Sequence, residues 1–452
     1  MKHHHRIVPI SLLVVAIPIA ALMAFFLLAV IFTHDEPRPD DAFLLLPNVE
    51  VADNDNAFVE MQQIENAHSF PSEPDAKLSS AVSSVSWDEA YVTSTITKHA
   101  ADIVLFRQAA VKPQFQDTAF ANPTSINWET AIFPDYYSYR QAAQVVALEA
   151  ESRARGGDIN AGLAEALDVI RFGHIMENSQ GALIGYLVGS SIKQTGLTAL
   201  RQIALNSTIT VSQAKEAAQK LEAFRDSRSG QAITMKMEYA AYKSFQQKYS
   251  QLGPLLGSYN LSIDIVTGQT TQKNSTWGNF LDYTDLTKFY YHPNQTLQYE
   301  IKIMNNGVQN AEADCSVVDL NPPRSFPMQS PSVAWFFTPN AIGKYLISIG
   351  EVSLGGLSTK RCNESVAISA TQALLGARAF TADVGHLPAS LSEMVPKYLD
   401  TMPKDPYNGQ ALLYSAGQKL VYSVGPDRKD LGGSPASSDW QNFSNPSFTV
   451  SQ

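Results

Sequence analysis

Cysteine is almost missing from this sequence. The 452 residues hold only Cys315 and Cys362, which excludes a disulfide-dense scaffold and any cysteine-rich zinc module. Charge is sparse as well, at 17% of residues, with a formal net charge of -10 and no long Lys/Arg run. A nucleic-acid binder would show a basic stripe, so nucleic acid is not an expected partner. The motifs of common catalysts are also lacking. There is no H-E-x-x-H, no phosphate-cradling G-x-x-x-x-G-K-[ST], no G-x-S-x-G elbow and no G-x-G-x-x-G after a strand. Beyond His3–His5, the histidines (His34, His68, His99, His174, His292 and His386) stand alone in sequence. A lone histidine is more often a packed or surface residue than a general base. Asp53-Asn54-Asp55-Asn56 opens like a calcium loop but lacks the Gly and terminal Glu, and reads as a turn or cap.

One long apolar run is present. Ile7–Phe32 contains no charged residue, and its 26 residues would span about 39 Å as a helix, against a hydrocarbon core of about 30 Å. It is too long for the apolar region of a cleaved signal peptide and exits into Thr33-His34-Asp35-Glu36-Pro37 without a small-residue cleavage site. Lys2 and Arg6 precede it, whereas Asp35, Glu36, Asp40 and Asp41 follow it, which puts the N-terminus in the cytoplasm and the rest outside. The expectation is a retained single-pass anchor with residues 1–6 as its cytoplasmic flank.

After a Pro- and Asp-rich connector over 33–56, helical periodicity takes over in a body spanning 57–250. Helices are predicted within Trp87–Val111 and over Tyr136–Arg155, Ile159–Glu177, Thr210–Arg228 and Ala232–Tyr249. Gly156-Gly157 joins two of them as a hairpin. Gly181, Gly185 and Gly189 fall at four-residue intervals, a spacing that predicts close approach of a neighbouring helix. Lys193 argues against a second membrane crossing there. Residues 251–339 are rich in Gly, Pro, Asn, Thr and aromatics and read as an irregular connecting region. Cys315 and Cys362, outside the membrane in this topology, can form one disulfide or leave a reactive thiol, and the thiol has no supporting cluster.

From residue 340 the order of elements becomes specific. Two helices, Tyr345–Leu357 and Glu364–Val384, lead to Gly385-His386-Leu387-Pro388, then Met402-Pro403-Lys404-Asp405-Pro406-Tyr407-Asn408-Gly409. A predicted hairpin follows, Ala411–Ser415 with Lys419–Val424, and then Ser423–Gly433 and Asp439-Trp440. This series resembles the C-terminal domain of the major pseudopilins of bacterial type II secretion, over about 90 residues. It departs from their pattern at Tyr407-Asn408-Gly409, Gln410-Ala411 and Lys429-Asp430. The N-terminus has no prepilin-peptidase site, so processing as a pilin is not expected. The whole chain resembles, more weakly, a group of bacterial single-pass membrane proteins carrying this end, on Asn56-Ala57-Phe58, Arg171-Phe172-Gly173-His174 and Pro339–Leu346.

The resemblance implies a structural Ca²⁺ in the loop after the hairpin, held by Asp427, Asp430, Asp439 and Ser423 with backbone carbonyls. The expected fold is mainly α: an N-terminal transmembrane helix (7–32), an α-helical extracytoplasmic body and a small α+β pseudopilin-like domain (340–434) with a tail (435–452). The expected function is that of an envelope scaffold or interaction protein in the bacterial cytoplasmic membrane, its bulk periplasmic or extracellular. Its partner would be another envelope protein, in a setting of type II secretion or pilus-like machinery. An envelope hydrolase with a site assembled from distant residues is the alternative.

Overall fold

The computed structural model describes residues 10–32, 34–71, 75–83, 87–126, 128, 130–251, 289, 291–320, 325–326, 338–354, 356–433 and 446–450. They fall into two compact units. The larger comprises Leu45–Ala240, Asn306–Pro322 and Gly356–Gln452, and the smaller Met1–Leu44, Ala241–Asn305 and Pro323–Gly355.

In the larger unit, capping residues set where each helix starts. Asp135 accepts the N–H groups of Tyr137 and Ser138 at the start of a helix over Tyr136–Arg155, and Asp158 does the same for Ala161 in the helix Ile159–Glu177. These are α6 and α7. They follow α1 (Ile10–Phe32, smaller unit), α2 (Phe58–Asn66), α3 (Ala76–Val82), α4 (Glu89–Lys98) and α5 (Ala100–Val111). The single run predicted within Trp87–Val111 is broken at His99, whose ring is stacked on Phe70 at 4.3 Å and bonded to Asp102 at 2.8 Å. Then come α8 (Leu183–Asn206), α9 (Val211–Ala223, started by a Thr210/Gln213 capping box) and α10 (Arg228–Gln251). The chain between α6 and α7 turns through Gly157 at φ +97°, a left-handed conformation that disfavours side chains.

Helices α6, α7 and α8 form the centre of this unit. Glycine allows α7 and α8 to touch backbone to backbone: a Cβ on Gly173 would stand 2.5 Å from the Lys193 nitrogen and 2.6 Å from the Gly189 carbonyl oxygen, and one on Gly196 would stand 2.8 Å from the Ala166 oxygen. The predicted glycine stripe needs correction. Only Gly189 meets a helix backbone; Gly185 faces the Tyr136 hydroxyl, and Gly181 precedes α8, with only Ser179 Oγ nearby. Helix α7 ends at Glu177 and α8 begins at Leu183, so the four-residue spacing starts outside the helix.

Two further helices complete the main framework, α11 (Pro293–Glu312) and α13 (Leu357–Val384), with α12 (Ala341–Leu354) between them in sequence. Helix α11 lies within the 251–339 stretch that read as an irregular connecting region. Proline is well placed at the first helical position, and Leu297, Met304, Val308 and Ala311 put a buried apolar face on the helix. One turn of α13 fastens four different parts of the larger unit. Arg361 donates to Gln231 Oε1 and the Ala313 carbonyl, both at 2.8 Å. Cys362 is disulfide-bonded to Cys315 with Cα atoms 5.7 Å apart, Asn363 accepts the Tyr407 hydroxyl at 2.6 Å, and Glu364 accepts from Lys193 and Ser190.

Past the left-handed Gly385, a short sheet follows: β1 (Leu413–Ser415), β2 (Leu420–Tyr422) and β3 (Ser447–Thr449), all antiparallel in the order β1-β2-β3. Leu413 pairs with Tyr422, and Leu420 with Thr449. The hairpin is shorter than predicted, and β3 comes from what read as a tail. Asp405 is the pivot of this end. Its carboxylate accepts the Tyr407 N–H, the Ser423 hydroxyl and the Val424 N–H at 2.8–3.0 Å, tying the Pro-rich turn to the residues just after β2. Tyr407 is wholly buried against α13.

In the smaller unit, α1 is a 23-residue helix without a charged side chain, interrupted only by Pro18. Among the described residues, which in α1 comprise side chains 16–25, 27 and 28, no helix is long and apolar enough to cross a membrane. The described residues by themselves therefore give no membrane span within Ile7–Phe32. The start of the connector is not a free spacer. Both Asp35 carboxylate oxygens cap α11 through the Asn294 and Gln295 N–H groups at 2.9 and 3.0 Å, and Asp41 pairs with Lys243. Asn340, at φ +52°, accepts the His292 N–H and the Thr296 hydroxyl.

The close α7–α8 contact yields a first prediction. Gly173→Ala should lower the stability of the protein by about 1–3 kcal/mol through overpacking, whereas Gly181→Ala should be close to neutral. Urea midpoints of the two variants, measured on the detergent-solubilised chain, test this.

Candidate functional site

Among the described residues, one group of ionisable side chains stands out for its complete removal from water. Lys193 on α8 is 0% exposed, Glu177 at the end of α7 is 0% and Glu364 on α13 is 1%. The Lys193 ammonium donates to Glu364 Oε1 at 2.5 Å and to Glu177 Oε2 at 2.7 Å. Ser190, one turn earlier on α8 and half-buried, donates to the other Glu364 oxygen at 2.8 Å. His174 closes the group, with Nδ1 3.5 Å from Lys193 Nζ and its ring 5.7 Å from that of Phe224.

The close approach of α7 and α8 is what lets a lysine this long curl into the seam, and α13 supplies the second carboxylate. Two carboxylates and one ammonium would leave a buried negative charge, which is expensive in a low dielectric. Burial, reinforced by the neighbouring Glu364, pushes the Glu177 carboxyl well above its ordinary value of 4.5 despite the pull of Lys193. Burial also pushes Glu364 up, but the Lys193 charge and hydrogen bonds from Glu177, Lys193 and Ser190 outweigh it and hold that carboxylate low. Burial works against the Lys193 charge, and the two carboxylates more than restore it. These shifts favour a charged Lys193, a charged Glu364 and a proton on Glu177, which together make a neutral set. His174 is pushed down from 6.5 to about 4 by burial and by Lys193, and is neutral near pH 7.

As an active site the arrangement is incomplete. A Ser-His hydrolase needs the hydroxyl bonded to the imidazole, but Ser190 donates to Glu364, and His174 faces Lys193 and Asn178. Lys193 is held as a cation and cannot serve as a base. The chemistry this geometry supports best is structural: a buried ionic clasp across three helices. A shallow cavity of about 240 Å³ lies elsewhere, lined by Thr118, Asn122, Ser125, Ile126 and Thr130 among others, next in sequence to Asp117. Burial pushes the Asp117 carboxyl up to about 6.

The residues expected to hold Ca²⁺ are placed differently. Ser423 is wholly buried, donates its hydroxyl to Asp405 and accepts the Gly425 N–H. Asp430 accepts the Gly432 N–H at 2.8 Å and the Tyr422 hydroxyl at 3.3 Å, and Asp427 is exposed. Asp439 and Trp440 lie outside the described residues. Among the described residues no three His, Cys, Asp or Glu side chains are grouped to hold a metal ion. What the loop visibly does is mechanical: Arg428 donates to the Cys315 and Val318 carbonyls beside the disulfide.

The sequence singled out His174 as an isolated histidine and Lys193 only as an interruption of an apolar run. It gave no sign that Glu364, 171 residues away, would meet Lys193. A lysine within an otherwise apolar helix face was the one available signal. No protein-family model, curated protein or solved structure matches the chain.

Two predictions follow from the charges. Lys193→Met should cost about 3–5 kcal/mol, because it strands a buried carboxylate, and adding Glu364→Gln should recover part of that loss. Denaturant melts of the single and double variants check it. The folded pKa of His174, about 4, lies below its ordinary 6.5. The unfolded chain therefore takes up the extra proton first, and the contribution is fully present above pH 6.5 and lost as pH falls toward 4. It amounts to up to about 3 kcal/mol at 1.36 kcal/mol per pKa unit. Glu177 runs the opposite way, being stabilising below its ordinary 4.5 and less so as pH rises. His174→Gln should thus lose less stability than wild type between pH 7.5 and pH 5, read from urea midpoints at both.

Proposed function

We propose that this protein is a membrane-anchored extracytoplasmic scaffold of the bacterial envelope, presenting its larger unit to another envelope protein and not itself processed as a pilin. The observation that carries this reading is the apolar exterior of α1. Ile17 is 62% exposed, Met23 68% and Leu27 65%, on a helix that contains no charged residue. Exposed apolar area of this kind is costly in water and is satisfied by lipid. Lys2 and Arg6 before the run and the acidic cluster after it set the orientation, N-terminus inside.

The interior of the larger unit supports a scaffold over the hydrolase alternative. Its most buried polar group is closed to solvent, and the serine there donates to Glu364 and not to the histidine. One turn of α13 fixes the helices, the Cys315 segment and the sheet-bearing end together, as a platform requires. The association with type II secretion or pilus-like machinery rests on the motif order at the C-terminus alone.

Expressed in a Gram-negative host, the full chain should stay in the membrane pellet after alkaline carbonate extraction. Protease added to spheroplasts should degrade residues beyond about 33 while leaving the cytoplasmic flank protected. Removal of residues 1–32 should release the remainder into the soluble fraction of refolded protein. Recovery of the intact chain in the soluble fraction would refute the anchor.

A further inference from the structure

The three buried side chains of the clasp are also the reagents of an amide bond. We propose that Lys193 and Glu364 become joined by an intramolecular isopeptide cross-link in the folded protein, with Glu177 as the proton carrier. The inference is independent of the scaffold reading. It starts from distance and exclusion of water: Lys193 Nζ lies 2.5 Å from Glu364 Oε1 and 2.7 Å from Glu177 Oε2, with all three side chains at most 2% exposed.

Holding an amine against a carboxyl group turns a bimolecular condensation into an intramolecular one, which removes much of the entropic barrier. A water-excluded site also narrows the gap between an ion pair and the corresponding neutral amine and acid, because neither charge is solvated. Glu177 supplies a second carboxyl, and burial keeps its proton in place. Ser190 donates to Glu364 Oε2 at 2.8 Å, which puts a hydrogen bond on the oxygen that gains charge when the carboxyl carbon becomes tetrahedral.

The step balances without any co-reactant. A proton passes from the Lys193 ammonium to Glu364 Oε1, giving a neutral amine and a neutral acid. Nζ then bonds to Glu364 Cδ, and the bond from Cδ to the protonated oxygen breaks. Glu177 gives its proton to the departing hydroxyl and takes one from the nitrogen. The products are one amide, one water and Glu177 in its starting state. Since Lys193 rests as an ammonium, the reaction passes through the less populated neutral pair and follows folding slowly. The bond would link α8 to α13 across 171 residues, alongside the disulfide that spans 47.

Mass spectrometry decides the matter. The full chain is purified in detergent, held folded at 37 °C for several days, then denatured, reduced and digested. The expected result is a branched peptide joining the segments around Lys193 and Glu364, about 18 Da lighter than the two linear peptides together. Glu177→Gln should leave both peptides linear while the circular dichroism stays native. Glu364→Gln should lose about 17 Da, as ammonia leaves in place of water, which separates this cross-link from other dehydrations. Linear peptides of full mass from the folded wild type after this incubation would overturn the proposal. So would an 18 Da loss that maps elsewhere or persists in Lys193→Met.

Discussion

The larger unit depends on one constraint: a lysine ammonium without water must have its charge balanced by protein groups alone. Lys193 meets it with Glu364 and Glu177, drawn from three helices that are far apart in sequence. Such a clasp contributes specificity of arrangement more than net stability, because the desolvation of each ion offsets much of the attraction. A register shift of any one helix would leave a charge buried alone. Gly173 and Gly189 follow from the same constraint. They bring the α7 and α8 backbones close enough for the lysine to turn into the seam instead of reaching past it.

Helix α13 carries the constraint outward. Consecutive residues of a helix point about 100° apart, so four in a row address all sides of it. Arg361, Cys362, Asn363 and Glu364 each engage a different part of the unit: α10 with the Ala313 carbonyl, Cys315, Tyr407 and the buried lysine. The sheet-bearing end is thereby packed onto the helices through Tyr407, and its own geometry turns on Asp405. The run of Pro, Asp and aromatic residues from Met402 to Gly409 therefore has a mechanical meaning here. It delivers a buried carboxylate to Ser423 and Val424, and a buried tyrosine to α13.

In the smaller unit the equivalent role falls to short polar side chains at chain ends. Asp35, three residues beyond the apolar helix, satisfies two backbone N–H groups at the start of α11, and Asn340 gathers the His292 N–H and the Thr296 hydroxyl. One of the acidic residues that follow the apolar run thus has a specific structural bond.

Local chemistry was legible in the sequence. The bounds of α6 and α7, the Gly156-Gly157 turn, the apolar run of α1 and the hairpin between Ala411–Ser415 and Lys419–Val424 rest on interactions within a few residues. Where several residues compete for one role, the sequence chose less well: of Gly181, Gly185 and Gly189 only the last makes the close helix contact, α11 lies within the stretch read as irregular, and β3 was missed. The bond from Ser423 to Asp405 had no signal in the sequence. The meeting of Lys193, Glu177 and Glu364 was decided by tertiary structure alone. A buried ion pair leaves no periodicity and no spacing along the chain, because its partners are selected by which helix faces come together and by the exclusion of water between them.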